Sequence, residues 1–147
     1  MNAFVAAGAG FLLAVLWFDL MCDVQAAGQT EVPEPALASI AAYYARVTTA
    51  ARPMNRLIAA VMAATLAAIV VELAGSGEPG WLGWLSLGLA LAAIALAAVR
   101  TVPAAVRLGT RRDPPQVQAR VARAILAQHV FEFAAIASVI ALQLVAG

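Results

Sequence analysis

The chain has no lysine, one cysteine and one histidine, and only 12% of its 147 residues are charged, where an ordinary soluble domain has about 25%. Each shortage excludes something. A lone Cys22 forbids an intrachain disulfide and leaves no CxxC pair for thiol redox work or a thiolate metal site. A lone His129 provides no ligand-spacing signature for a transition metal. The net charge of +1 argues against a strong field over the whole molecule, and so against nucleic acid as a partner. No internal repeat is visible, which speaks against a duplicated transporter half.

What the chain has in excess is apolar residues, 64% of the total, more than a soluble chain this short could hide. Abundant alanine and the absence of lysine suggest a GC-rich bacterial genome, and the expected location is the bacterial inner membrane. The nine basic residues are all arginines, confined to 46–56 and 100–123, with long apolar runs around and between them. If each run crosses a bilayer once, both arginine stretches fall on one side, as the cytoplasmic bias of basic residues requires. The expected fold is an all-α integral membrane protein: a four-transmembrane-helix bundle forming a single membrane domain over 1–147, with a cytoplasmic interfacial amphipathic helix between the first and second spans. Both termini would lie outside.

The expected spans are about 4–21, 54–74, 81–100 and 122–145, each near the roughly 20 residues that a hydrocarbon core of about 30 Å demands. The first is expected to be retained and not cleaved, because Met1, Asn2 and Ala3 carry no side-chain charge and Asp19 and Asp23 occupy the region where a cleavage site would lie. The interfacial helix is placed at about 35–51, started by Glu34 and Pro35, where Leu37, Ile40, Tyr44 and Val47 form one apolar stripe. The second span is short, with Arg56 reaching back to the headgroups and Glu72 near the far surface. The segment 75–80, containing Glu78 and no arginine, is the expected outside loop. Trp81 and Trp84 open the third span as interfacial tryptophans do, and Pro103 is expected to kink or stop it. Asp113, Pro114 and Pro115 mark the turn before the last helix.

Helices in lipid associate by close packing and polar contacts. Small residues four apart offer such packing at Ala6 and Gly10, at Ala59, Ala63 and Ala67, and at Gly88 and Ala92. Ionisable side chains at membrane depth are costly and normally face partners. Asp19 and Asp23 share a face of the first span, Gln128, His129 and Glu132 lie in the fourth, and Asn55 and Arg56 enter the second from the same side.

This set supports three readings. In a structural one, Asp19 and Asp23 pair with Arg56, Arg100 or Arg123, and Glu132 accepts from His129 or an arginine. In the second, Asp19, His129 and Glu132 form a proton or ion relay. In the third, a metal bound by His129, Glu132 and Asp19, or a haem or chlorin ring on His129, makes a membrane redox protein. Arg100, Arg107, Arg111, Arg112, Arg120 and Arg123 set topology or attract anionic headgroups. Tyr43 and Tyr44 read as interface anchors, and Cys22 as a small apolar residue.

Two partial resemblances arise. Four short helices with a carboxylate in the first are similar to a small multidrug exporter, whose chain is shorter and whose glutamate lies nearer mid-span than Asp19. The sequence Pro53-Met54-Asn55 before Arg56 and Leu57 resembles a Pro-Leu-Asn element of small anthrone-oxygenase-like membrane proteins, where it follows a later helix. Neither assigns a family. The leading expectation is a non-catalytic accessory or assembly subunit, packed against other membrane subunits or against copies of itself within the bilayer, with no cofactor; the relay and the cofactor protein are the alternatives.

Overall fold

Prolines and charges punctuate the chain, and the helices follow them. The computed structural model describes residues 3–76 and 80–146; Glu78 of the expected outside loop, and the terminal residues 1, 2 and 147, lie outside the described residues. Among the described residues the protein is all-helical, without strands. Helix α1 (Ala3–Asp23) ends in a short 3-10 turn over Val24–Ala26. Helix α2 (Glu34–Tyr44) starts on Pro35 within its first turn, where the missing N–H costs nothing. Helices α3 (Arg52–Gly75), α4 (Trp81–Leu96), α5 (Val102–Gly109) and α6 (Pro115–Ala146) complete the chain.

Four helical stretches, Ala3–Ala26, Arg52–Gly75, Trp81–Gly109 and Pro115–Val145, are long and apolar enough to cross a membrane. The protein itself buries at most 33% of the most apolar 18-residue stretch in any of them, so most of that surface faces outward and demands an apolar surrounding. Helix α1 packs between α3 and α6, and α4 closes the ring by touching both α3 and α6. Two apolar cores fill this bundle. One joins Ala9, Leu12, Leu16, Ala93, Ala135 and Ile136, and the other joins Val5, Ile69, Leu73, Ala90 and Val139.

Two wide π turns, Ala45–Ala50 and Ala97–Thr101, each precede a proline, but only Pro103 continues a helix; Pro53 stands in the first turn of α3, after the break at Ala51, where its missing N–H costs nothing. A proline inside a helix has no N–H and its ring presses on the carbonyl four residues back; widening the preceding turn relieves both problems. The third long helix therefore runs through Pro103 and continues beyond Arg100 to Gly109. The carbonyl of Tyr44, at the first wide turn, is met by a side chain: Thr48 Oγ1 donates to it at 2.6 Å.

Helix α2 does not lie bare. Its stripe of Leu37, Ile40, Ala41 and Tyr44 is buried against α5 and the first turns of α6, in a third core with Ala26, Val32, Ala105, Leu108, Ala119, Ala122 and Ile125, and Val47 packs at its edge. Helices α2 and α5 with the start of α6 thus cap one end of the bundle, the end that carries the arginine stretches. Gly109 permits this cap, because a Cβ there would meet the backbone N of Ala45 at 2.9 Å. Arg111 ends α5 in the left-handed region at φ 52°, unusual for a residue with a side chain, and its guanidinium ion-pairs with Glu34 at the start of α2.

The expected small-residue faces behave differently. Ala59, Ala63, Ala67, Gly88 and Ala92 all point outward, and Gly10 has nothing near its missing Cβ. Close approach occurs elsewhere: a Cβ on Gly8 would strike Thr65 Oγ1, and one on Gly83 would strike Leu73 Cδ2 at 2.6 Å. Spacing alone does not distinguish these stripes, because alanine is common on every face.

Candidate functional site

Between the cap core and the bundle cores lies a buried polar layer. Helix α1 supplies Asp19 and Asp23, one turn apart; α2 supplies Tyr43 and Tyr44 at its last turn; α6 supplies His129 and Glu132; the π turn before Pro103 supplies Thr101. Asp23 is fully buried, and Tyr44, Thr101, Glu132 and His129 are each no more than 5% exposed.

Asp23 is the centre. Its Oδ2 lies 2.6 Å from Nδ1 of His129, and its Oδ1 accepts a hydrogen bond from the Tyr44 hydroxyl at 2.5 Å. So short a contact of Oδ2 with Nδ1 requires one proton between the two atoms, carried by either partner. Tyr44 Oη is also 3.5 Å from that nitrogen. The other ring nitrogen, Nε2, faces Asp19 Oδ2 at 3.8 Å, and Asp19 accepts from the Tyr43 hydroxyl at 2.7 Å. One turn further along α6, Glu132 accepts from Thr101 Oγ1 at 2.6 Å. Burial, reinforced by the neighbouring aspartates, pushes both tyrosine phenols above their usual range, so each remains a hydrogen-bond donor.

The layer holds three carboxyl groups and one imidazole, and no arginine is among their partners. The arginine pairing expected from sequence is not what the structure shows. Arg56 is exposed, and Asn55 turns away to donate to Thr48 O at 2.6 Å. Arg100 is also exposed, and Arg123 donates to the carbonyls of Gln29 and Thr30, fastening the loop before α2. Arg107 makes a two-point pair with Asp113, at 2.7 and 3.0 Å, and Arg111 is committed to Glu34. Arg112 and Arg120 are left exposed. The physical reason is reach: α2 stands between the arginines and the aspartates and fills the space with tyrosine.

Of the residues singled out in the sequence, Asp19, Asp23, His129 and Glu132 come together and Asn55 and Arg56 do not. Gln128 sits beside them in the chain with its Oε1 buried and unbonded among the described residues. Tyr43, Tyr44 and Thr101 are members that sequence reasoning missed. No local pattern marks them, since their place depends on how α2 docks and on the π turn that Pro103 induces.

No three His, Cys, Asp or Glu side chains converge on one point at ligand distance among the described residues. A metal would have two donors at most in this layer, His129 Nε2 and Asp19. A haem or chlorin ring on His129 would have to approach the same Nε2 and displace the Asp19 carboxylate.

No family model, curated protein or solved structure matches this chain. Function has to be argued from the layer itself.

Proposed function

We propose that this is a small multi-pass protein of the bacterial inner membrane that takes up a proton from its arginine-bearing side and holds it at Asp19, Asp23, His129 and Glu132. One observation carries the reading: three carboxyl groups and an imidazole share one buried layer, Asp23 hydrogen-bonded to His129 at 2.6 Å, Asp19 at 3.8 Å from its other nitrogen and Glu132 held by Thr101, and among the described residues no guanidinium is a partner of any of them. Buried charge left unbalanced is expensive, and a mobile proton is the smallest ion that restores neutrality. Asp19 is the entry, because its side chain keeps 15% of its surface open while Asp23 keeps none. Tyr43, Tyr44 and Thr101 complete a chain of exchangeable O–H groups.

Beyond Glu132 the way is closed. Ala135, Ile136 and Val139 bury apolar surface for the next turns of α6, about 16 Å of helix before Gln143. Uptake is therefore one-sided, and onward transfer requires a partner subunit or an opening of these layers. In this reading the arginine-rich loops face the cytoplasm and both termini face away from it.

The test follows the His129 imidazole by nitrogen NMR in sealed liposomes of fixed orientation. Its protonation should track the pH on the arginine-bearing side and ignore the other compartment, and Asp23→Asn should displace the midpoint by about one pH unit or more. An imidazole that responds to neither compartment between pH 4 and pH 9, or to both equally, refutes one-sided uptake.

A second reading, a non-catalytic subunit that packs on other membrane subunits or on its own copies, is favoured by the outward stripes Ala59, Ala63, Ala67 and Gly88, Ala92, which this chain does not use on itself. Purification in a gentle detergent decides it: a lone monomer with no co-purifying protein rules it out.

A further inference from the structure

At the end of the bundle opposite the arginines lies a cavity of about 290 Å³, lined among others by Glu72, Ser86 and Gln143 with Ile69, Leu73 and Leu82. That volume is at the lower edge of the roughly 300 to 1,000 Å³ typical of small-molecule sites, and suits a ligand of headgroup size. Among the described residues, Glu72 is the only charged one on its wall. Gln143, 4% exposed, places its side-chain nitrogen to donate to Oε2 and Oε1 of Glu72 at 3.2 and 3.3 Å, an orientation that also turns its carbonyl toward donors of the protein. Ser86 is 1% exposed and, among the described residues, its hydroxyl has no hydrogen-bond partner, although it lines the cavity. A hydroxyl that opens on a cavity without a protein partner is left for a ligand to bond. On a mostly apolar wall, the Glu72 carboxylate and the Ser86 hydroxyl make two acceptors and one negative charge.

We propose that this cavity binds a primary ammonium group of ethanolamine size, presented either by a soluble amine or by the headgroup of a phospholipid. The N–H donors serve both acceptors, and the positive charge meets Glu72. A trimethylated ammonium has the charge but no N–H, so it cannot bond Ser86. Trp81 and Trp84, largely exposed at the start of α4, put the mouth at the depth where tryptophans meet lipid headgroups. The site lies at the far end of the bundle from the polar layer and stands or falls independently of proton uptake.

The test measures thermal unfolding of the purified full chain by tryptophan fluorescence with three probes: ethanolamine in solution, phosphatidylethanolamine vesicles and phosphatidylcholine vesicles. Ligand that binds the folded state raises Tm in a concentration-dependent way. Stabilisation by ethanolamine alone identifies a soluble amine, and stabilisation by phosphatidylethanolamine but not by free ethanolamine identifies the lipid; either supports the proposal. Equal stabilisation by the two vesicles, or none by any probe, overturns it. Glu72→Gln should weaken the effective affinity at least about tenfold, and Ser86→Ala about three- to tenfold, the scale of one charged and one neutral hydrogen bond. Ser86→Ala is a mild helical change that keeps the test usable if Glu72→Gln does not fold, and unchanged affinity in a folded variant of either kind also overturns the assignment.

Discussion

The two ends of the bundle treat buried carboxylates in opposite ways. At the arginine end, Asp23 is wrapped completely: His129 and Tyr44 occupy its two oxygens, and a docked helix closes over it. At the other end, Glu72 meets one amide beside a cavity and an idle serine. A carboxylate saturated by the protein's own donors ties helices together and exchanges only small ions. One left with acceptors to spare is disposed to receive a ligand. The contrast arises because the chain has helices α2 and α5 to spend on one end, where they close over the polar layer.

The contrast can be broken most strongly at Asp23. Removing one member of a buried, hydrogen-bonded pair leaves the other stranded, so Asp23→Ala should cost about 3 to 5 kcal/mol in detergent unfolding, while Glu72→Ala, whose neighbour can turn to water in the cavity, should cost no more than about 1.5 kcal/mol. Equal losses would mean that the two ends do not differ.

The docking of the cap comes next. Gly109→Val puts a branched side chain against the backbone of Ala45, which cannot swing aside, and should cost about 3 kcal/mol; Gly8→Val meets the side chain of Thr65, which can rotate, and should cost nearer 1 kcal/mol. Chemical unfolding of both variants gives the ratio. A smaller effect sharpens the picture inside the layer. Tyr44→Phe deletes a buried donor to Asp23 and should cost about 2 kcal/mol, whereas Tyr43→Phe removes a partly exposed donor to Asp19 and should cost about 1 kcal/mol.

The smallest effect is at the exposed rim of the cap. Hydrogen bonding to the Arg107 guanidinium holds the Asp113 carboxyl below its ordinary range. A carboxyl depressed on folding adds stability that is fully present above its unfolded pKa and is lost as pH falls through the folded value. Wild type should therefore lose a slight margin of Tm over Asp113→Asn between about pH 4 and pH 2, and 0.5 M salt should shrink that margin. A margin that grows on acidification would contradict the pairing.

Much of the architecture was legible in the linear pattern. Apolar runs bounded by Arg56, Trp81 and the Pro114-Pro115 step delimit helices because hydrophobic length and proline sterics act locally. The membership of Asp19, Asp23, His129 and Glu132 in one group was legible too, since ionisable residues at the same helical depth must seek company. Their partners were not. Arginine was the chemically obvious partner, yet neutral tyrosine hydroxyls from α2 take its place as hydrogen-bond donors, because the ten-residue connection before Glu34 folds α2 back across the bundle. The small-residue stripes misled for a related reason: Gly8 packs closely against Thr65 while Ala63 is exposed, and helix rotation, not spacing, decides which face is inside.

By itself the sequence determined the four long apolar helices, the gathering of basic residues at one end and the depth of the acidic ones, all consequences of local hydropathy and backbone sterics. Only the tertiary structure decided that α2 packs on protein, that Thr101 is turned toward Glu132 by a widened turn, and that one end is sealed while the other keeps a cavity. Those outcomes depend on contacts between residues up to 106 positions apart, as Asp23 and His129 are, and no short-range pattern encodes the angle at which two helices meet.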